Sequence, residues 1–150
     1  YAIHTLSKKP NLLIFCALIT EAKDVAKRIP GAVILTSDTK KEERERILSK
    51  FKKGIIKCVV NVGVLTTGFD YPELEAVIIA RSTMSLSLFY QIVGRVMRIH
   101  LNKKNAWVID LGGNLNLFGK IETMKIEIDN EGRFAIWNNG RQLTNTPFKK

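Results

Sequence analysis

Cysteine and histidine are both scarce in this 150-residue chain, which has two of each. So few soft ligands, without metal-binding spacing, argue against a zinc site, and no metal ligands are predicted. Cys16 and Cys58 lie inside apolar runs, which indicates buried free thiols in a reducing, cytoplasmic compartment. The longest apolar run, Leu12–Ile19, is too short to cross a bilayer, so no membrane association is expected.

Acidic residues are also few: 14 Asp and Glu stand against 24 Lys and Arg, which gives a net charge of +10. A basic protein gains free energy by releasing the counterions condensed on a polyanion, so this balance favours nucleic acid as a partner. Charge alone does not separate such a protein from a merely soluble basic domain. The length suits one domain with a real core. Because the chain begins at Tyr1 and not at Met, it is expected to be a piece of a longer protein.

Apolar runs of strand length alternate with amphipathic helical patterns, as is typical of an α/β fold with parallel strands and right-handed crossovers. Thr20 is predicted to cap the first helix, and Thr39 forms a capping box with Glu42 for the second. Ser85 or Ser87 is predicted to cap the third. The basic run after that helix, 98–104, is interpreted as a solvated loop. The predicted strands are 12–17, 32–35, 55–60, 76–80 and 106–110.

The third helix carries the pattern Q-x-x-G-R-x-x-R. In a helix these four positions share one face: Gln91, Gly94, Arg95 and Arg98. Two interpretations compete, a solvated face covered by arginine stems and a phosphate clamp built from guanidinium groups. Taken alone, the helix favours the solvated face.

A polar loop, Thr66-Thr-Gly-Phe-Asp70, precedes this helix and follows an apolar strand. Ligands of parallel sheets gather at the carboxyl ends of the strands, where this loop is predicted to lie. Its donors suit the phosphates of a nucleic-acid strand. They are the backbone N–H groups around Gly63 and Gly68 and the hydroxyls of Thr66 and Thr67.

The two stretches, Asn61–Pro72 and Gln91–Arg98, together resemble motifs V and VI of superfamily 2 helicases and translocases, in their second RecA-like domain. The resemblance covers about residues 11–113 and is strongest to bacterial and phage DExH-type DNA-repair helicases. It implies a RecA-like parallel sheet flanked by helices over residues 1–113. Residues 114–150 would form a small β-rich extension.

The resemblance also implies roles for single residues. Arg95 and Arg98 would reach the γ-phosphate of ATP and stabilise the charge that develops during hydrolysis. The nucleotide would be bordered by Gln91, Gly94, Gly68 and Asp70, with Asp70 at the ribose. One nucleic-acid strand would be held by its backbone at Ser37, Asn61, Gly63, Thr66 and Thr67. Val62 stands where many relatives carry a phosphate-contacting threonine.

The chain lacks the elements that bind ATP phosphates and Mg²⁺. Between Gly113 and Gly119 stand five residues where a phosphate loop needs four, and Ile121 replaces the metal-binding hydroxyl residue. No D-E-x-[DH] sequence occurs either. By resemblance these elements belong to an upstream RecA-like domain of the same polypeptide. ATP and Mg²⁺ are therefore expected in the full-length protein, and residues 1–150 alone are expected to be inactive.

Single-stranded or branched DNA is the expected partner, with RNA as the alternative. Two other classes of function stay open. A non-catalytic nucleic-acid-binding module would not need Gln91, Asp70, Arg95 and Arg98. An unrelated α/β enzyme with a small phosphorylated ligand would need an acid–base pair or a nucleophile, and no such constellation is apparent.

The pattern changes after Lys120. Met124, Ile126 and Ile128 alternate with polar residues, and alternation returns at Phe134 and Ile136. Turns are predicted at 129–132 and 138–140, so the segment is expected to form a hairpin or meander. The polar tail 144–150 is predicted to be frayed.

Overall fold

The computed structural model describes residues 11–65, 69–128 and 130–145. Within them a five-stranded parallel sheet is followed by a three-stranded antiparallel sheet. The strands are β1 Leu12–Cys16, β2 Val33–Leu35, β3 Cys58–Asn61, β4 Ala76–Ala80, β5 Trp107–Asp110, β6 Lys125–Ile128, β7 Phe134–Asn138 and β8 Arg141–Asn145; the helices are α1 Ile19–Lys27, α2 Lys41–Lys52, α3 Leu86–Val96 and α4 Asn114–Phe118, with a 3₁₀ turn at Ile121–Thr123.

The parallel sheet has the strand order β2-β3-β1-β4-β5, and its three central strands, β3, β1 and β4, are buried on both faces. Alternate residues of β1 explain this. Leu13 and Phe15 enter the core beneath α2 and α3, whereas Leu12, Ile14 and Cys16 enter a second core with residues of α1. Strands buried on both sides read as continuous apolar runs, and the predicted α/β fold with a parallel sheet flanked by helices is confirmed.

The predicted third strand starts too early. The N–H groups of Ile55 and Ile56 both donate to the carbonyl oxygen of Lys50, at 2.9 and 3.2 Å. These residues therefore close the end of α2, and β3 begins only at Cys58. The β3 strand then extends one residue further than predicted, to Asn61, which lies beside Leu35 of β2 and Phe15 of β1.

Two predicted helix caps are wrong. The α1 helix begins at Ile19, and the Glu21 carboxylate accepts the N–H of Leu18 at 3.2 Å, so Thr20 lies inside the first turn. The hydroxyl of Thr39 accepts the N–H of Thr36 at 3.1 Å, which closes the turn after β2. Lys40 then occupies the N-cap position of α2 without a side-chain cap, so no capping box forms.

The cap of α3 is Ser85, whose hydroxyl accepts the N–H of Leu88 at 3.2 Å. This helix packs Phe89, Ile92, Val93 and Val96 into the core, which leaves its polar residues on the outer side. The helix ends at Val96, with Met97 as its C-cap. Arg98 therefore stands just beyond the helix and does not continue its face, contrary to the prediction.

The C-terminal segment forms an antiparallel meander in the order β6-β7-β8, as predicted. Its second turn uses Asn139 and Gly140, both with positive φ, which suits a two-residue hairpin. Asn138 fastens the meander to the preceding chain, since its Nδ2 donates to the carbonyl oxygens of Phe118 and Lys120 at 2.8 and 3.0 Å. Phe118 stacks on Phe89 of α3, with ring centroids 5.5 Å apart. The predicted tail lies mostly outside the described residues.

Both cysteines are buried and free. Burial is the main cause that raises the pKa of Cys16 to about 11 and that of Cys58 to about 12. Because the thiolate is the reactive form, both thiols are expected to resist maleimide or disulfide reagents at pH 8 in the folded chain. Labelling should become rapid in urea. Fast labelling of the native protein would contradict this burial.

In the described part of the chain, none of the helices has the length and apolarity that a bilayer span requires.

Candidate nucleotide and nucleic-acid site

The loop after β3 is shaped by Asn61, whose side chain is fully buried. Its Oδ1 accepts the N–H groups of Val64 and Leu65, at 3.2 and 2.9 Å. The turn passes through Gly63 at a φ of 72°, a conformation that favours glycine. The Asn61 side chain is thus engaged within the loop, and a ligand here would meet the backbone of the exposed Gly63. Thr66, Thr67 and Gly68 lie outside the described residues, so their predicted roles stay predictions.

Asp70 stands exposed between two buried aromatic residues, Phe69 and Tyr71. Both rings pack with Phe51 of α2, at centroid distances of 6.3 and 5.5 Å. The Tyr71 hydroxyl donates to the carbonyl oxygen of Lys52 at 3.3 Å, and burial raises the pKa of Tyr71 to about 12. The two flanking anchors fix the backbone on either side of Asp70 and direct its carboxylate outward.

The two arginines of the Q-x-x-G-R-x-x-R pattern both contact this segment. Arg98 forms an ion pair and hydrogen bond with the Asp70 carboxylate, and Arg95 donates to the carbonyl oxygen of Phe69. Burial, followed by the nearby Arg98 charge, lowers the pKa of Arg95, while Asp70 acts in the opposite direction. The structure therefore brings Asp70, Arg95 and Arg98 together, although 24 residues separate Asp70 from Arg95 in the sequence.

Lys103 holds the two segments in this arrangement. Its ammonium donates to the carbonyl oxygens of Pro72, Leu74 and Val96, at 2.8, 3.2 and 2.8 Å. The first two follow Asp70 and the third ends α3, so one side chain ties both halves of the site. Burial lowers the pKa of Lys103, opposed by Glu75 and Glu73. This residue was interpreted as part of a solvated loop, and no sequence signal separates it from its neighbour Lys104.

We expect Lys103→Met to destabilise the chain by about 2 kcal/mol, because three carbonyl oxygens lose a charged donor. Lys104→Met makes the same change at an exposed neighbour and should alter stability by less than about 0.5 kcal/mol. Urea unfolding of both variants at equal ionic strength measures the difference. Equal stabilities for the two variants would contradict the bridging role.

Gln91 and Gly94 lie on the outer side of α3. The Gln91 amide is exposed and donates to the Ser87 hydroxyl at 3.3 Å. Gly94 is only partly exposed, yet a Cβ placed on it would meet no atom within 4 Å. There is thus open space beside Gly94, next to Arg95 on the same helix, for another chain or a ligand to approach.

Ser37 lies near the loop after β3, because β2 and β3 are adjacent parallel strands. The N–H of Val62 donates to the carbonyl oxygen of Leu35 at 2.9 Å, which joins the two strand ends. Ser37 is exposed, and its hydroxyl lies 3.5 Å from the Asp38 carboxylate. Ser37 and Gly63 therefore lie on the same carboxyl edge of the sheet, where the predicted backbone contacts to nucleic acid would occur.

A network that the sequence interpretation missed links β5 to the loop before α3. The Asp110 carboxylate accepts from the Asn114 amide and from the Leu115 N–H, both at 2.7 Å. Asn114 in turn donates to the Arg81 carbonyl oxygen and accepts the Thr83 N–H, both at 2.9 Å. These hydrogen bonds fix the loop that leads into α3 against the segment that follows β5. The sequence feature that could have indicated this network is D-x-G-G-N at 110–114, whose glycines were compared only with a phosphate loop.

The described residues contain no group of three or more His, Cys, Asp or Glu side chains placed to hold a metal ion.

The family of helicase conserved C-terminal domains matches residues 1–100 of the chain. Because this match covers more than half of the chain, the chain belongs to that family of helicase C-terminal domains.

Among individual relatives, IRC3 of Saccharomyces cerevisiae, whose name describes an ATP-dependent helicase, is 40% identical over 79 residues. That alignment covers 53% of this chain and 12% of IRC3. The ATP-dependent DNA helicase uvsW of Enterobacteria phage T4 is 36% identical over 116 residues, covering 73% of this chain and 23% of uvsW. The chain thus spans less than a quarter of either relative.

Solved helicases share the fold. The structure of Mycobacterium smegmatis helicase Lhr bound to ssDNA and AMP-PNP matches with a TM-score of 0.62 and 19% identity. The match covers 79% of this chain and 17% of that chain.

Proposed function

We propose that this chain is the second motor domain of an ATP-dependent helicase or translocase, acting on a nucleic-acid strand that is DNA. The observation that carries the proposal is the contact between two separate segments, in which Arg98 pairs with Asp70 and Arg95 holds the carbonyl oxygen of Phe69. This arrangement places two guanidinium groups beside a carboxylate and the open flank of Gly94. Such a group suits an incoming triphosphate and its ribose.

In this proposal the arginines act on a nucleotide held mainly by another domain. ATP with Mg²⁺ would be bound by an upstream RecA-like domain of the same polypeptide, facing α3, with Gln91 and Gly94 at the junction. Arg95 and Arg98 would stabilise charge on the transferred phosphoryl group. Support comes from the lack of phosphate-loop and acidic motifs in this sequence and from the much greater length of the relatives. Residues 1–150 alone would then not hydrolyse ATP.

The nucleic-acid contacts are proposed for the carboxyl edge of the sheet. Ser37 and the Asn61–Thr67 loop would bind phosphates of one strand, which needs no base reading. The net charge of +10 supports a polyanionic partner. DNA is favoured over RNA because uvsW is named a DNA helicase. Opening and closing of the two-domain cleft would couple hydrolysis to movement along the strand.

The test measures ATP hydrolysis by the longer protein that contains this chain, with and without single-stranded and branched DNA. We expect DNA to stimulate hydrolysis, and Arg95→Ala or Arg98→Ala to abolish it while DNA binding persists. Arg46→Ala is the matched control, since Arg46 is exposed on α2 and pairs only loosely with Glu43, at 3.9 Å.

Hydrolysis that is absent, or indifferent to both arginines, would instead support a nucleic-acid-binding module with this fold. A separate assay tests residues 1–150 alone. ATP turnover by this chain that is lost on Arg95→Ala would contradict the requirement for an upstream domain.

A further inference from the structure

The strand β6 is an exposed edge. Among the described strands it pairs only with β7, and all four of its residues are exposed. The exposed fractions of Ile126 and Ile128 reach 74% and 64%. An exposed edge offers unpaired N–H and C=O groups to any strand that can align with it, and natural proteins usually cover such an edge.

The exposed isoleucines belong to an apolar face of the C-terminal sheet. Ile126 lies opposite Ile136, and Ile128 lies opposite Phe134, in the register of β6 with β7. The face continues into a groove whose other wall is formed by Met84 and Tyr90. Met84 precedes α3 and is 85% exposed, and Tyr90 lies in α3 and is 56% exposed. Neighbouring apolar side chains exposed in this way mark an interaction surface.

The opposite face of β6 carries one charge of each sign, Lys125 and Glu127. In an antiparallel pair, directly opposite side chains lie on the same face of the sheet. Two copies of one strand therefore pair symmetrically only about a residue, which then faces its own equivalent. The position of that residue decides which charges meet.

We propose that a second copy of this chain pairs with β6 in antiparallel orientation, about a two-fold axis through Ile126. This register places Lys125 opposite Glu127 of the second copy, and Glu127 opposite its Lys125. Ile126 faces Ile126, and Met124 faces Ile128, so the apolar rows of both copies merge. The result is a six-stranded sheet across a symmetric dimer, with the same patch used by both copies.

The charges select this register over its neighbours. An axis through Lys125 would place the two lysines opposite each other, and an axis through Glu127 would do the same with the two glutamates. Opposite charges across a strand pair stabilise it, and like charges directly opposite destabilise it. The complementarity of β6 with its own antiparallel copy is the reason that we assign the surface to a second copy and not to another partner.

The experiment measures the molar mass of the chain by light scattering over a range of concentrations. We expect the mass to rise from 17.0 kDa towards twice that value. Lys125→Glu and Glu127→Lys should each weaken the dimer by about tenfold, since each creates two like-charge pairs about the axis. The double variant, Lys125→Glu with Glu127→Lys, restores both pairs in exchanged positions and should recover the dimer.

Ile126→Lys places two ammonium groups at the axis and should leave the chain monomeric. Lys23→Glu, on the exposed side of α1, makes the same charge change as Lys125→Glu and should not affect the dimer. Circular dichroism confirms that each variant is folded. A monomer at all concentrations would overturn the proposal, as would a dimer that ignores the single charge reversals or fails to recover in the double variant.

Discussion

Replacing Arg98 with alanine in the longer protein is expected to lower the rate of ATP hydrolysis by about 10³–10⁵-fold, the range for an arginine that stabilises phosphoryl transfer. The affinity for the nucleotide should change far less, because the guanidinium acts mainly on charge that develops in the transition state. Single-turnover hydrolysis and equilibrium nucleotide binding, measured on the same variant, separate the two effects.

Two further substitutions make this expectation sharper. Arg98→Lys keeps the charge but loses the planar fork of donors, so it should recover little activity. Asp70→Asn removes the carboxylate that orients Arg98 but keeps the shape of the side chain, and we expect an intermediate loss. A fall in nucleotide affinity equal to the fall in rate for Arg98→Ala would place the arginine in ground-state binding alone.

Gly112→Ala is expected to destabilise the chain by about 3 kcal/mol, at the upper end of the usual cost of overpacking. A Cβ at this position would lie 2.0 Å from the Arg81 carbonyl oxygen and 2.8 Å from the Ser82 nitrogen. Both are backbone atoms of the loop that leads into α3, so no side-chain rotation can relieve the contact. Urea unfolding followed by circular dichroism measures the loss.

Gly94→Ala is the matched control for Gly112→Ala. Gly94 sits inside α3 with nothing near its missing Cβ, so alanine should stabilise the isolated chain by about 0.5–1 kcal/mol through helix propensity. In the longer protein the same change should reduce hydrolysis if another chain or a nucleotide approaches there. Destabilisation of the isolated chain by Gly94→Ala would mean that the space beside this helix is already filled.

The sheet could be predicted because its central strands are buried on both faces. Leu12–Cys16 and Ala76–Ala80 lie in continuous apolar runs, and such runs are typical of strands in the middle of a parallel sheet. Helix caps were less predictable. Thr39 has a hydroxyl that serves either a helix N-terminus or the N–H of Thr36, and the folded turn decides between them. The spacing of Thr39 and Glu42 in the sequence is the same whether the hydroxyl caps the helix or closes the turn.

The candidate site also contains residues that the sequence predicts and residues that it does not. Asp70, Arg95 and Arg98 were predicted because their residue types and spacing resemble a known pair of motifs, and the structure brings them together, while their roles stay predictions. Lys103 was not predicted, since three backbone carbonyl oxygens attract it and backbone atoms leave no trace in the sequence. The sequence predicts Asn61 as a ligand-binding residue; in the structure its Oδ1 accepts two N–H groups of its own loop, and its binding role stays a prediction.

The ion pair between Arg98 and Asp70 is largely exposed, with 53% and 68% of the two side chains accessible. Exposed ion pairs contribute only about 0–1 kcal/mol to stability, so this pair orients the guanidinium but holds it weakly. If Arg98 binds a phosphate as proposed, it would exchange one anion, the Asp70 carboxylate, for another. The carboxylate would then hold the guanidinium in place until the phosphate binds.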